Sequence, residues 1–248
     1  MRVPYTLSDE SITIFVEGKM RTVLSGNKNF ELLKDLLRED EHDIQMLLAY
    51  SDREETIRAS ATSDVEVIDG VVYYKGEELH NALTDKLLDI LDDGFDATPW
   101  VRFLEKLMQN PSFRSRNCLY EFLEHFKAPI TPEGNFIAFK RIRNDWKDIH
   151  SGTFDNSVGT VVQMDRSNVD DDPQRTCSSG LHVCADSYLD GFASADQSRT
   201  VVVEVNPANV VAVPYDYNFA KMRVCEYTVL AEVEPKDIQG ILSESMYG

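Results

Sequence analysis

Positive charge is scarce in this sequence. Twenty-five Lys and Arg face 43 Asp and Glu across 248 residues, and the formal net charge is -18. So acidic a chain is poorly suited to replacing counterions along a nucleic acid or to docking on anionic lipid. No apolar run approaches the ~18 residues that a membrane span requires. The opening residues, 1–11, hold no apolar secretion-signal core. These absences lead to the expectation of a soluble cytoplasmic protein without membrane insertion and without direct nucleic acid binding. Cysteine is sparse too, with four in the chain, too few for a disulfide scaffold at this length, and a reducing compartment would keep them as thiols. Repeats and low-complexity segments are missing. What the chain does have is 42% hydrophobic and 10% aromatic residues, enough for a sizeable core in one large domain or two small ones.

The patterning is mixed. Residues 11–24 alternate apolar and polar side chains around Glu17-Gly18, the mark of a β-hairpin. Phe30, Leu33, Leu36 and Leu37 follow helical spacing behind Asn29, a residue suited to an N-cap. A second helix is expected over 41–58 through Ile44, Leu47, Leu48 and Ile57. Residues 65–74 are expected to form a hairpin turning at Asp69-Gly70. Leu79, Leu83, Leu87, Leu88 and Leu91 predict a helix over 77–91. Thr98-Pro99 opens another, with Thr98 as cap, and 113–126 a further one. Two prolines and a glycine in 127–134 break the helical periodicity. Beyond them strands dominate: 136–142, 158–164, 181–184, 200–205, 210–213 and 222–233, with one short helix over 187–195. The expected fold is α+β, with a mainly helical N-terminal region carrying two hairpins over 1–129 and a β-rich domain over 134–248.

The polar connections of that β-rich part hold the candidate chemistry. In 169–184, VDDDPQRTCSSGLHVC, an acidic run, Arg175, two cysteines and a histidine lie between apolar strands. Alternation on a strand puts His182 and Cys184 on one face. With Cys177 and with Cys225 from a later strand they compose three thiols and an imidazole, a set that suits tetrahedral zinc; buried structural cysteines are the competing explanation. Cys177 or Cys184 could also serve as a nucleophile beside a histidine. Asp170-Asp171-Asp172 offers carboxylates for a hard cation, or a solvated loop. The loop 150–159, with His150 and Asp155, has small residues that let backbone amides approach a phosphate or ribose. The connection 214–223 gathers Tyr215, Tyr217 and Arg223, where a planar ligand could stack or the rings could pack on a sheet edge. Lys140-Arg141-Ile142-Arg143 reads as a solvated strand end that could hold a phosphate.

Four segments carry a resemblance: GNFIAFKRI at 134–142, GTFDNSVGTVVQM at 152–164, VDDDPQRTCSSGLHVC at 169–184 and VNPANVVAVPYDYNFAKMRVCEY at 205–227. They resemble the rIIB-like rapid-lysis proteins of tailed bacteriophages over 134–230. The likeness weakens upstream, through 68–91 and the Asn-Pro-Ser of 110–112, and fades before about Asp64. The T-even member of that family is similar to helix-turn-helix DNA-binding proteins at its own N-terminus, where this chain has a hairpin instead. The resemblance implies an early phage protein in the host cytoplasm, peripheral to the inner membrane through a companion rIIA-like protein. It would act in lysis timing (lysis inhibition) and in overcoming host exclusion or a host defence factor. The resemblance carries over no settled enzymatic activity and no established catalytic residues.

A second likeness is at the level of fold. A strand with Gly-Leu-His-Val, a short helix, then 200–205 and 224–229, is similar to the ADP-ribosyltransferase arrangement. That likeness would make Glu226 the residue polarising a ribose of NAD, put His182 near the place of the aromatic that grips NAD, and set Arg141 or His150 on ribose or phosphate. It is the alternative to a non-enzymatic binding role.

Overall fold

The computed structural model describes residues 2–25, 27, 29–39, 41–51, 64–68, 71–79, 82–92, 97–126, 128–189, 198–234 and 237–238. The chain divides into two units of internal contact, Met1–Val101 and Arg102–Gly248.

In the first unit the alternating residues form β1 (Tyr5–Leu7), β2 (Ser11–Val16) and β3 (Lys19–Leu24), paired antiparallel in that order. Glu17 and Gly18 both take positive φ, 52° and 78°, as a two-residue hairpin turn needs. Ile12, Ile14, Val16 and Val23 are buried in one cluster with Phe30, Leu33, Leu36 and Leu37 of α1 (Phe30–Arg38) and Leu47 of α2 (Ile44–Ser51). Asn29 is the cap position, but its side chain makes no capping bond. Buried His42 closes the unit: Val3 N donates to Nδ1 at 3.1 Å, and Nε2 lies 3.2 Å from Leu37 O. β4 (Val65–Ile68), β5 (Val71–Tyr74) and the short β6 (Glu77–Glu78) make a second antiparallel sheet. The helix expected from residue 77 therefore begins later, as α3 (Ala82–Asp92). Lys75 and Gly76, at φ 52° and 79°, build another hairpin turn and claim 77–78 for the sheet. The Asp69-Gly70 turn and residues 52–63, including Ile57, lie outside the described residues.

Helix α4 (Thr98–Met108) spans the division, and α5 (Phe113–Phe126) follows in the second unit. The seven-stranded antiparallel sheet contains β7 (Phe136–Arg143), β8 (Val161–Gln163), β9 (Leu181–Cys184), β10 (Ser198–Val205), β11 (Val210–Ala212), β12 (Lys221–Val224) and β13 (Glu226–Glu232). A short helix α6 (Asp186–Leu189) follows β9; residues 190–195 of the helix expected there are outside the described set. The strand order is β11-β12-β9-β7-β10-β13-β8. The run expected as one strand over 222–233 is two, separated by Cys225 alone. Yet β12 pairs with β9 and β11, while β13 pairs with β10 and β8. One residue cannot cross three strands of a flat sheet, so the sheet coils until these two positions meet.

The concave face carries the alternate residues Phe136, Ala138 and Ile142 of β7, Val201, Val203 and Val205 of β10, Leu181 and Val183 of β9, Met222 and Val224 of β12, and Tyr227 and Val229 of β13, all buried. Phe103 of α4 and Phe122 of α5 pack on Phe136, with ring centroids 6.5 and 6.1 Å away. Asn110, between these helices, is 1% exposed. It donates from Nδ2 to Pro207 O at 2.9 Å and Val210 O at 2.7 Å, and its Oδ1 accepts from Ser112 N and Arg166 Nη2.

Candidate functional site

The sheet opens between β7 and β9. β9 holds β12 through four register pairs, but it holds β7 through one, Phe139 with Cys184. Beyond that pair the two strands diverge. Lys140 points from β7 to the concave side and donates from Nζ to His182 O at 2.6 Å, a carbonyl that a closed ladder would satisfy with a backbone N–H. Its ammonium also lies 5.5 Å from the Tyr227 ring centroid. Burial lowers the Lys140 ammonium to about 8.

His182 sits at the mouth of this opening. Its ring is half-buried, with the His150 ring centroid 6.2 Å away. Burial first, then the charges of Lys140, Lys221 and Arg223, bring its imidazole down to about 3, so it is neutral at pH 7. Arg223 is its register partner across β12.

Arg223 is fully buried. Its guanidinium donates from Nε to Asp170 O at 2.7 Å, from Nη2 to Asp172 O at 2.7 Å and from Nη1 to Arg175 O at 2.6 Å. Lys221, two residues earlier, donates to Thr176 O at 2.6 Å. The polar loop after Val169 is thus wound around two cations of β12 by its main chain. The side chains in that loop serve each other. Asp170 accepts from the Ser178 hydroxyl, from Asp172 N and from Arg175 Nη1, which holds its carboxyl well below the ordinary range. Arg175 also meets Asp172 at 3.4 Å. Tyr215 N donates to Pro173 O at 3.3 Å, which brings the loop 214–220 against the same turn.

The loop 148–157 is organised in the same way. Burial would raise the Asp148 carboxyl, but bonds from Ser151 N, Ser151 Oγ, Phe154 N and Thr153 N outweigh it and bring it to about 2. Fully buried Asn156 accepts from the Tyr227 hydroxyl. The three polar connections expected to supply a site therefore converge around β9 and β12.

The individual candidates fare differently. His150 and His182 meet, and Arg223 stands beside His182, though its donors are spent on carbonyls. Arg175 is engaged by Asp170 and Asp172. Asp155 accepts from Ser157 N and Oγ inside its own turn. Tyr215 is exposed, with its ring 6.0 Å from that of Phe219. Tyr217 lies on a short 3-10 turn, and its side chain is outside the described set. Glu226 accepts from Asn209 Nδ2 at 3.1 Å and pairs with Gln163 of β8.

The four-residue zinc set does not assemble. Cys184 is buried, donates to Phe139 O at 3.3 Å and has its thiol pushed up to about 12 by burial. Cys225 is buried with Val169 and Val211 and donates to Asn209 O. Cys177 is exposed. Among the described residues no three His, Cys, Asp or Glu side chains are placed to hold a metal ion, and this covers Asp170 to Asp172 as well. The reason is physical: alternation predicted one polar face for β9, but Cys184 packs there with Phe139, Leu189 and Val202.

Lys140 and Arg141 depart from the expected solvated strand end: they are half-buried and buried. The signal was present: Lys140 occupies the same alternate register as Phe136, Ala138 and Ile142. Asn110, Asp148 and Asn156 were missed, because a polar residue that satisfies buried main chain looks in sequence like any loop residue.

Comparison with known proteins places this arrangement. No solved structure matches the chain. The protein rIIB of Enterobacteria phage T4 is 37% identical over 230 residues, covering 92% of this chain and 73% of that protein. A family profile described as bacteriophage T4 protein rIIB matches residues 4–242. The match reaches well upstream of Asp64, where the likeness was expected to fade. The chain belongs to the family of bacteriophage T4 protein rIIB.

Proposed function

We propose that this chain is an early phage regulator that acts with an rIIA-like partner, in the host cytoplasm or against the inner membrane through that partner. Its task is to set lysis timing and to overcome host exclusion or a host defence factor, and it catalyses no reaction. The functional part is taken as 134–248. Family membership over nearly the whole chain carries the reading. Two properties support it. Arg223 and Lys221 spend their donors on carbonyls of the loop after Val169, so these cations serve the main chain. Among the described residues no helix is long and apolar enough to cross a membrane, so membrane proximity would come from a partner.

The test is affinity capture of the tagged chain from phage-infected cells at low salt. Recovery of an rIIA-like protein in a fixed ratio is expected. Recovery of the chain alone overturns the partner. Incubation with labelled NAD addresses catalysis: turnover lost on Glu226→Ala would replace the non-enzymatic reading with the transferase one.

A further inference from the structure

Arg141 is 7% exposed, and among the described residues no carboxylate pairs with it. Its one hydrogen bond runs from Nη2 to Leu189 O at 3.4 Å, the long limit for such a bond. Its Nε is buried with no partner. Thr200, directly across the β7–β10 ladder, is 3% exposed, and its Oγ1 is also buried with no partner. A guanidinium removed from water without a counter-charge is costly, and buried polar atoms nearly always find partners. Two orphans side by side on one face mark a place built for a group that brings its own negative oxygens.

The registers show what else reaches that place. Thr200 pairs with Arg141; the Phe139–Cys184 pair sets Arg141 level with His182; and His182 pairs with Arg223. Four strands thus hold Thr200, Arg141, His182 and Arg223 in one row on one face. The ladder is open between Arg141 and His182, so both flank the gap. Lys140 and Lys221 add positive potential there, in a chain whose net charge is -18.

We propose that the face of the sheet at Arg141 and Thr200, next to the gap between β7 and β9, binds a phosphate-class oxyanion, with Arg141 Nε and the Thr200 hydroxyl donating to its oxygens and a His182 ring N–H as third donor. A phosphate has an oxygen for each of three donors, where a carboxylate has two. The group is either free phosphate or the phosphoryl end of a nucleotide. This site does not depend on the partner-directed reading above.

The experiment is thermal unfolding of the full chain titrated with inorganic phosphate or with ADP, against chloride at constant ionic strength. Phosphate is expected to raise the midpoint saturably at millimolar concentration. Arg141→Met abolishes the rise while folding at least as well in phosphate-free buffer, because an unpaired buried cation is gone. Thr200→Val keeps the side-chain shape and weakens the phosphate dissociation constant about fivefold. ADP binding more tightly than phosphate, with the same Arg141 dependence, identifies a nucleotide; phosphate binding at least as tightly as ADP identifies the free ion. No saturable rise with either anion, or an equal rise in Arg141→Met, overturns the site. Should Arg141→Met fail to fold, unchanged affinity in Thr200→Val overturns it.

Discussion

Arg223 shows how much one residue organises. Its three donated bonds end on carbonyls spread over Asp170 to Arg175, so the loop has a fixed path although its side chains are mostly polar. Arg223→Met leaves those carbonyls to find water and should cost about 3 kcal/mol. Urea denaturation measures the loss, and limited proteolysis should cut first within 170–176. Arg223→Lys, which keeps the charge but not the fork, should recover less than half. Equal stability of Arg223→Met and the parent would show that the loop holds its path without the guanidinium. The sequence made Arg223 visible as a cation in an aromatic loop. It could not reveal that the cation faces inward, since that depends on which strand lies beside β12.

Among the elements, the junction between α4, α5 and the sheet rests on Asn110. Its amide satisfies two carbonyls at the 207–210 turn, while its oxygen takes Arg166 and caps Ser112. Asn110→Ala should cost about 2–4 kcal/mol, and Asn110→Asp about as much, because a carboxylate cannot donate to Pro207 O and Val210 O. Calorimetric midpoints of the two variants check this, and a parent-like Asn110→Asp would refute it. Most elements were legible because hydrophobic period and length agreed, as in α1, α5, β7 and the β2–β3 hairpin. The failures share a cause. The break at Cys225, the short β6 and the late start of α3 are each set by a turn or a partner strand rather than by the segment's own pattern. The convergence of the polar loops belonged to the same class of information, since topology alone decides it.

For the molecule as a whole, acid is the revealing variable. His182 is neutral in the fold with its imidazole near 3, against an ordinary 6.5, so the unfolded chain binds its proton first. Its contribution is complete above about 6.5 and lost as pH falls toward 3. Asp148 has its carboxyl at about 2 against 3.8, so its contribution is complete above 3.8 and lost as pH falls through 2. The net charge of -18 acts the other way, since acid relieves self-repulsion. Comparison of His182→Gln with the parent cancels that shared term. The variant's stability should fall less steeply between pH 6.5 and 3, by one proton in the linkage slope; parallel curves would mean that His182 protonates freely in the fold.

The one-residue join at Cys225 has a consequence for synthesis. Residues 221–232 close both halves of the large sheet, so neither half is finished while that stretch is still inside the ribosome. Until then β7, β9 and β10 wait with open edges, exposed to wrong pairing. A nonsense codon anywhere before 221 should therefore yield an aggregating or degraded fragment, never a shortened protein with half its sheet intact.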